Sequence, residues 1–523
     1  MFAPKLYTVR KFPFSFIIQN DFDIRLTWDE ERLYHINQQD NMLFRQIRLI
    51  TGKDQKFNPY LIFVDCAGAK NKKDELRRAV LEGFKLNGRR YVASERSASM
   101  VRTSILSFID ITLVDEVELR VKMGVDIGKT VLSKWYAYRG LMLSSCHNLE
   151  DWYPKMIVIP DYKRVIPEQH IKYVYDNTIN FIDREGRERE WKQKDIGETV
   201  RDIEINAFDG CGVHHPAITD YVMEKLGSDT RPTSMILRAP FIKGVSNEFD
   251  YQRFFAERGV EKIKDVWGVW HDVTPNSEPM FILTESMYKG IKYFKHYGDI
   301  RDWEEYWRRF KRYQHCIGVA KWNFSVKEEP VYTRGNYQIL QDLNLPYDDF
   351  GQLAGYSISW VERIIEGDPL YTMCFLGFFA DKHKALNDYM NAVLKNPEML
   401  KEPTIRSYLI TLVQKYIDEM KCGKLYLRAC FKFLVPDLIM LMEHAGGLEP
   451  KGCLKSDEFF SFNRFGTLKG EYLIERNPHI CKSEHTILKG VTNDLIEQYC
   501  SHLSNICMVN CLSLTPQRLN GAD

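Results

Sequence analysis

The feature of this chain that most limits its fold is a change of hydrophobic periodicity from strand-like to helical and back. Short apolar runs bounded by Gly, Pro and Asp fill residues 91–292, a pattern typical of β-strands. Residues 293–420 instead carry apolar side chains at helical spacing. Strand character returns in residues 421–523, and residues 1–90 read as a small α/β unit that precedes the rest. The pattern predicts an α+β protein with two β-rich regions joined by a helical connector.

Length and composition set few limits on function. A chain of 523 residues exceeds one hydrophobic core and predicts two to four structural units, at roughly 150 residues each. Lys and Arg number 72 against 71 Asp and Glu, so the net charge does not favour nucleic acid as a partner. A local basic channel remains compatible with that balance, because the outer surface can carry the compensating acidic groups.

The cysteines and the apolar segments indicate the cellular compartment in which we expect the protein. Its 12 cysteines form no C-x-x-C pair and no zinc-ligand spacing, which favours free thiols in a reducing compartment. The N-terminus lacks an apolar signal-peptide core, and no uncharged stretch reaches the roughly 20 residues of a membrane span. We therefore expect the cytoplasm of a bacterium or of an infected host, and no membrane partner.

Two strand ends carry lysines followed by glycine. Arg238 and Lys243 flank one apolar run, with Gly244 next, and Lys289 and Gly290 close another. Charges at the ends of buried strands, each followed by glycine, suit a backbone that approaches a phosphate. Taken alone, the pattern favours lysines that simply reach solvent, because lysine is mostly exposed.

Two loops carry further candidates. Asp209 and Gly210, with Gly212 close behind, indicate a tight turn in which a bulky side chain would clash. Arg476 follows a predicted strand and precedes Pro478, which would stiffen a loop that presents the arginine. An ordinary surface turn explains either loop equally well.

The helical region offers one ambiguous segment. The stretch from Trp303 to Tyr313 is rich in Trp, Tyr and Arg, and such side chains can line a nucleic-acid channel by stacking. An amphipathic packing helix with a solvated basic face explains the same residues, and we favour that interpretation.

The order of these short motifs resembles the two-barrel RNA polymerases, the family that includes cellular and phage-encoded RNA-dependent RNA polymerases. Six elements occur in consistent order over residues 94–523, and six short motifs in sequence are hard to obtain by chance. Three of them are the Ser-x-Ser element with Ser97, Ser99 and Arg102, the Asp209-Gly210 turn, and the strand pair with Arg238 and Lys243. The others are the Ser-Met-x-Lys element ending at Lys289, the Arg-x-Pro segment at Arg476, and the closing Leu-Asn-Gly-Ala-Asp, which is similar to the start of the family's catalytic Asp-rich loop.

The resemblance implies two double-psi β-barrels that face each other across an active-site cleft. The first barrel is expected complete near 201–292, within the β-rich region. The second is expected to begin near residue 424 and to be partial, because the metal-binding loop of the family continues past the position of Asp523. The abrupt end of the chain fits a fragment or a truncated gene product.

The resemblance also implies site roles. Asp523 would be the first catalytic aspartate and a ligand of magnesium, which two-metal nucleotidyl transfer requires. Lys243 and Lys289 would be catalytic, offsetting charge on the triphosphate or nascent strand. Substrate-binding roles fall to the remaining motif positions: Arg476, Arg238, Asp209 and Gly210. One carboxylate holds magnesium weakly, so the chain alone is expected to polymerise little or not at all.

Two positions depart from the family pattern. Met100 stands where glutamine is frequent, and the closing motif has one residue more than the family's Asn-Ala-Asp. The extra residue leaves the place of the family asparagine open between Asn520 and Gly521, so Asn520 receives no predicted sugar contact.

The predicted function is template-directed RNA synthesis from nucleoside triphosphates. RNA is the first template considered and DNA the alternative, since both engage the same backbone-reading barrels. A catalytically inactive fragment that only binds nucleic acid is a second hypothesis. An unrelated α+β protein that carries these motifs by chance is a third.

Overall fold

The computed structural model describes most of the chain, and the fold below is built from that part alone. The described residues are 5–69, 71–125, 131–290, 302–325, 327, 329–341, 343, 345–376, 388–476 and 484–519. They form several mixed sheets and many helices, so the predicted α+β class is confirmed.

The N-terminal sheet has seven strands in the order β2-β5-β6-β7-β4-β1-β3. Asn41 caps the helix Met42–Thr51 by accepting a hydrogen bond from the Phe44 amide at 2.9 Å, and Gly52 ends that helix in the left-handed region. The predicted unit boundary near residue 90 falls inside this sheet. Its strands are β1 (Leu6–Pro13), β2 (Asp23–Ile24), β3 (His35–Gln39), β4 (Phe57–Asp65), β5 (Phe84–Leu86), β6 (Arg89–Ala93) and β7 (Ile105–Asp110).

Helices of this N-terminal part pack on the sheet and lead into the next one. They are α1 (Phe14–Gln19), α2 (Trp28–Arg32), α3 (Met42–Thr51), α4 (Lys73–Glu82), α5 (Ala98–Arg102), α6 (Val114–Val121) and α7 (Leu132–Arg139), with 3₁₀ turns at Ile111–Leu113 and Gly140–Leu143. One apolar core joins this part to the central sheet, because buried side chains of both sides belong to the same cluster.

The central sheet orders its seven strands β8-β18-β13-β14-β12-β17-β9. Within it, β12 and β14 run parallel, as do β9 and β17, while β13 pairs antiparallel with β14. The strands of this part are β8 (His147–Leu149), β9 (Lys155–Ile159), β10 (Lys163–Ile182), β11 (Glu188–Asn206), β12 (Cys211–His214), β13 (Ser234–Ala239), β14 (Ile242–Glu248), β15 (Lys262–Lys264), β16 (Trp270–Asp272), β17 (Met280–Thr284) and β18 (Ile317–Trp322).

Strand β18 extends the central sheet past the predicted end of the β-rich region at residue 292. Strands β10 and β11 form a separate long antiparallel ribbon whose base adjoins the central sheet. The helices of this part are α8 (Pro216–Leu226), α9 (Tyr251–Ala256) and α10 (Trp303–Arg312).

Helix α10 packs against the body of the protein. Tyr306 is buried and donates a hydrogen bond to the Pro240 carbonyl at 2.8 Å, and Arg309 donates to the Met123 carbonyl at 3.0 Å. The interpretation of this stretch as a packing helix is confirmed.

The region that follows is helical, with one short two-stranded sheet between β19 and β20. A small core of apolar side chains holds α12 and α15 together. Its elements are β19 (Thr333–Arg334), α11 (Tyr337–Gln341), α12 (Tyr347–Ile365), α13 (Pro369–Phe375), α14 (Asp388–Lys395), the 3₁₀ turn Pro397–Lys401, α15 (Pro403–Lys421) and β20 (Tyr426–Leu427).

The C-terminal sheet has five strands in the order β21-β27-β22-β26-β25. Parallel pairs β21/β27 and β22/β26 alternate with antiparallel pairs β22/β27 and β25/β26. The elements are β21 (Phe433–Pro436), α16 (Leu438–Ala445), β22 (Glu458–Phe460), β23 (Phe462–Asn463), β24 (Gly466–Thr467), β25 (Gly470–Ile474), β26 (Thr486–Gly490), α17 (Asp494–Tyr499), β27 (Ile506–Val509) and α18 (Thr515–Arg518).

The central and C-terminal sheets share one hydrophobic core. Helix α16 is buried along most of its length in the same cluster as β9 and β17. Phe249 stacks on Tyr499 with ring centroids 5.5 Å apart, which ties the two sheets together. This shared core fixes the distance between the sheets at the place where the candidate site opens. Whether these sheets close into double-psi barrels stays a prediction.

His214 and the cysteines of the described part occupy structural positions. His214 is fully buried between the hydroxyls of Ser246 and Thr219, at 2.8 and 2.9 Å, and burial lowers its pKa to about 3. All eleven cysteines in the described part are free, as the sequence predicted. No helix among the described residues is both long and apolar enough to cross a bilayer.

Candidate active-site cleft

A cleft of about 260 Å³ lies between the central and the C-terminal sheet. Its walls are formed by strands of both sheets and by the residues next to those strands. Neither sheet therefore makes the site alone. The lining residues are Asn206, Ala207, Phe208, Asp209, Gly210, Cys211, Ile236, Arg238, Lys243, Gly244, Val245, Lys289, Leu434, Val435, Pro436, Arg476, Val509, Cys511 and Pro516.

Every described residue to which the sequence assigned a site role lines this cleft. Four cations, Arg238, Lys243, Lys289 and Arg476, meet one carboxylate, that of Asp209, among the described lining residues. The cations come from β13, β14, the turn after β17 and the segment after β25. A concave surface with this charge favours a polyanion such as a phosphate chain.

Arg238 and Lys243 are direct cross-strand partners in the β13–β14 pair, so their side chains share one face of the sheet. Arg238 donates one hydrogen bond to the Leu237 carbonyl at 2.8 Å, while its buried Nε has no hydrogen-bond partner among the described residues. Burial lowers the pKa of Arg238 to about 10. A guanidinium with an unused donor is ready to bind an anionic ligand.

The pKa of Lys243 is lowered from its ordinary value of 10.5. Desolvation in the cleft is the first cause, and the positive charges of Arg238, Lys289 and Arg476 add to it, against a smaller opposing effect of Asp209. The ammonium group therefore lies in a region of positive potential, which an anionic ligand would relieve.

The Asp209-Gly210 turn is held by a hydrogen bond that it donates to the Ser-Met-x-Lys element. Gly210 has φ +66°, a conformation that favours glycine, and its amide donates to Ser286 Oγ at 2.9 Å. The carboxylate of Asp209 lies 4.0 Å from Lys289 Nζ. Two motifs that are about 80 residues apart in sequence therefore form one corner of the cleft.

Gly244 is required by packing. A Cβ at this position would lie 2.3 Å from the Gly210 carbonyl oxygen and 2.6 Å from Met287 Cγ. The Val245 amide donates to that same carbonyl at 2.9 Å. The glycine after Lys243 thus lets β14 approach the turn closely enough to keep the two motifs in register.

Arg476 extends toward the C-terminal end of the described chain, where its Nη1 donates to the Leu519 carbonyl at 3.3 Å. Asn477, Pro478 and Asn520 lie outside the described residues, and so does Asp523. The roles predicted for Asp523 as catalytic residue and metal ligand therefore stay predictions.

Sequence reasoning missed Asp161. Its carboxylate accepts from the Ser286 amide at 3.0 Å and from Asn206 Nδ2 at 2.9 Å, so it joins the base of the β10–β11 ribbon to the turn after β17. Burial raises its pKa, against the effect of the Ser286 hydrogen bonds. The available signal was an aspartate two residues after the end of the buried strand β9.

The Ser-x-Ser element lies elsewhere. Ser97 caps the short helix α5 in the N-terminal sheet region, and its Oγ accepts from the Met100 amide at 3.4 Å. Neither Ser97, Ser99 nor Arg102 lines the cleft.

Magnesium finds no ready site in the described part of the chain. No group of three or more His, Cys, Asp or Glu side chains there could hold a metal ion. The described lining is cationic and fits the phosphates of a substrate better than a divalent cation, so the magnesium prediction depends on the motif at Asp523 alone.

Comparisons with known proteins agree with this geometry. The chain is 27% identical over 436 residues to the DNA-directed RNA polymerase YonO of Bacillus phage SPbeta, covering 81% of this chain and 46% of the relative. It superposes over its whole length on the RNA dependent RNA polymerase QDE-1 from Thielavia terrestris, with TM-score 0.54, 9% identity and 52% of that chain covered. The chain is therefore similar to RNA polymerases both in sequence and in fold.

The relationship has a defined extent. A probable RNA-dependent RNA polymerase of Arabidopsis thaliana is 29% identical over 100 residues, which is 19% of this chain and 9% of the relative. No family model matches the chain. The chain spans about half the length of the phage relative and of the structural neighbour. The resemblance to RNA polymerases seen in the motifs is thus confirmed.

Proposed function

We propose that the protein takes part in template-directed RNA synthesis, with RNA as the template. The observation that carries this proposal is the convergence of Arg238, Lys243, Lys289 and Arg476 in one cleft between two sheets. In the proposed reaction the 3′-oxygen of the growing strand attacks the α-phosphorus of a nucleoside triphosphate. The bond to the β-phosphate breaks, pyrophosphate leaves, and the hydroxyl proton passes to solvent or to a base.

The residues of this chain would bind and orient the triphosphate. Arg238 has a buried donor with no hydrogen-bond partner among the described residues, and Lys243 and Lys289 add positive charge to the cleft lining. Such groups stabilise the charge that builds up on the phosphate oxygens in the transition state. We assign Arg476 to the incoming nucleotide, and the Asp209-Gly210 turn to holding Lys289 in place. Magnesium at Asp523 and a cytoplasmic location remain parts of this proposal.

DNA is the second candidate template, favoured by the similarity to a phage DNA-directed RNA polymerase over 81% of the chain. Single-stranded RNA and DNA of one sequence, each with an annealed RNA primer, separate the two. Incorporation of labelled nucleotide by the full-length gene product on the RNA template alone supports the first proposal. Incorporation on the DNA template alone supports the second.

Substitution tests the cleft in the same assay. Lys243→Ala and Lys289→Ala should abolish extension on the active template while the far-UV circular dichroism spectrum stays unchanged. Lys225→Ala is the matched control, because Lys225 is exposed on α8 and does not line the cleft; it pairs with its neighbour Glu224 and lies 5.4 Å from the centre of the Tyr221 ring. Normal extension by both cleft variants would exclude them from the active site. Template binding without incorporation by the wild-type protein would identify an inactive nucleic-acid-binding protein instead.

A further inference from the structure

A second cavity, of about 460 Å³, opens in the helical region and shares no lining residue with the cleft. Its volume lies within the range of small-molecule sites. The lining residues are Tyr332, Arg334, Tyr356, Trp360, Cys374, Phe375, Leu412, Lys415, Tyr416, Glu419 and Tyr426, and six of the eleven are aromatic. We call this cavity the aromatic pocket.

The aromatic pocket presents ring faces to solvent. Tyr332 and Tyr356 stack with centroids 4.0 Å apart and planes at 10°, and each side chain is over a third exposed, at 37% and 38%. Trp360 follows Tyr356 by one helical turn of α12, which puts both rings on one side of the helix. Exposed, parallel rings at the rim of a cavity form a platform on which another flat ring can stack.

The polar groups of the aromatic pocket favour an anion. Glu419 is the acidic lining residue, and it is paired with Arg334 and lies 3.7 Å from Lys424 Nζ. Lys415, one turn before Glu419 on α15, has no ion-pair partner among the described residues. The buried Nε of Arg334 likewise has no hydrogen-bond partner in the described part of the chain. Lys415 is therefore a cation available to a ligand, and Arg334 adds a guanidinium to the same lining.

Regular structure holds these groups in place. Arg334 pairs with Tyr426 across the β19–β20 sheet, and the Tyr426 amide donates to Ser357 Oγ on α12 at 2.8 Å. The guanidinium of Arg334 lies 5.3 Å from the centre of the Tyr416 ring, which is a cation–π distance. The pocket is thus framed by packed helices and a strand pair, and its walls do not need to reorganise to accept a ligand.

We propose that the aromatic pocket binds a nucleobase together with its phosphate. The base would stack on the Tyr332–Tyr356 platform, and the phosphate would face Lys415 and the guanidinium of Arg334. A free nucleotide and an unpaired residue of a single strand present the same ring and the same anion, so both are candidate sources. The proposal does not rest on polymerase activity, because a chain that extends no strand can still hold a nucleotide here.

The test is equilibrium binding by isothermal titration calorimetry with the full chain. The probes are AMP, GMP, CMP, UMP, inorganic phosphate and a single-stranded RNA of about eight nucleotides, a length within the usual site sizes. All variants are made in a Lys243→Ala background, so that the cleft does not obscure the pocket. Tyr356→Ala should weaken binding roughly tenfold, the loss expected for one stacked base, and Lys415→Glu should weaken it by a similar factor.

Two matched controls lie on the same helices. Tyr347→Ala removes a tyrosine of α12 that is 91% exposed, and Lys421→Ala removes a lysine of α15 outside the pocket, paired with Asp418. Tyr356→Phe keeps the ring and should keep the affinity, which separates stacking from a fold defect. Mononucleotide binding identifies a free ligand, and binding of the oligonucleotide alone identifies a strand. Absence of binding to every probe, or equal affinity of Tyr356→Ala and Tyr347→Ala, would overturn the proposal.

Discussion

The cleft and the aromatic pocket are two concave sites built by different means. The cleft draws its cations from four segments spread over about 240 residues, and it exists only because two sheets share a core. The aromatic pocket draws its rings from residues 332–426, mainly from faces of α12 and α15 that pack locally. Strand ends bring charged side chains together from distant sequence positions, whereas a helix face is made of side chains at regular sequence spacing. The cleft is therefore an electrostatic site and the pocket a stacking site.

The largest expected difference between the two sites follows removal of a cleft cation. Arg238→Met should weaken binding of inorganic tripolyphosphate by roughly 10- to 100-fold, since a hydrogen bond to a charged group contributes about 1.5–3 kcal/mol. Mononucleotide binding in the aromatic pocket should not change. Calorimetric titration of both ligands measures the pair of affinities. Equal losses for both ligands would show that the two sites are not independent.

Gly244→Ala should damage the cleft through its packing. The added Cβ meets a backbone carbonyl at 2.3 Å, and overpacking of this kind costs about 1–3 kcal/mol. Gly351→Ala is the control, because a Cβ on that residue of α12 meets nothing within 4 Å. Replacing a glycine inside a helix should stabilise the protein by about 0.5–1 kcal/mol. Urea denaturation of both variants gives the free energies of unfolding, and a stable Gly244→Ala protein would contradict the packing argument.

Added salt should weaken ligand binding in the cleft about tenfold and should affect binding in the aromatic pocket much less. Raising the ionic strength from about 0.05 to about 0.5 M shortens the screening length from roughly 14 to roughly 4 Å, so the cleft cations attract an anion less strongly. Tripolyphosphate affinity should then fall roughly tenfold, while binding that depends mainly on stacking should fall much less. Parallel titrations at both salt concentrations check this, and a matching salt dependence would mean that charge dominates both sites.

The smallest expected effect is a pH dependence in which tripolyphosphate affinity and the free energy of unfolding change in opposite directions. Because the pKa of Lys243 is lowered in the folded protein, tripolyphosphate affinity should fall as pH rises through that lowered pKa. In the window between it and the ordinary value of 10.5, the unfolded chain binds more protons, so the free energy of unfolding should increase with pH. Lys243→Arg, which stays protonated throughout, should remove both trends. Affinity and stability that fall together would contradict the lowered pKa.

The residues that the short motifs selected lie together in the structure, while their roles stay predictions. Arg238, Lys243, Lys289 and Arg476 were selected because their motifs resemble those of a polymerase family, and all four line one cavity. The Ser-x-Ser element shows the limit of this reasoning, since Ser97 caps a helix in another part of the molecule. Asp161 was missed because an aspartate after a strand carries no distinctive signal until its hydrogen-bond partners are known.

By itself, the sequence determined the alternation of strands and helices, the α+β class and the identity of the charged groups. These depend on local periodicity and on side-chain chemistry, which can be read from neighbouring residues. Only the tertiary structure decided that Gly244 meets Gly210, that four cations share one cleft, and that the rings of α12 and of Tyr332 line an open pocket. Such contacts join residues far apart in the chain, and burial and pairing at those distances follow from packing rather than from any local pattern.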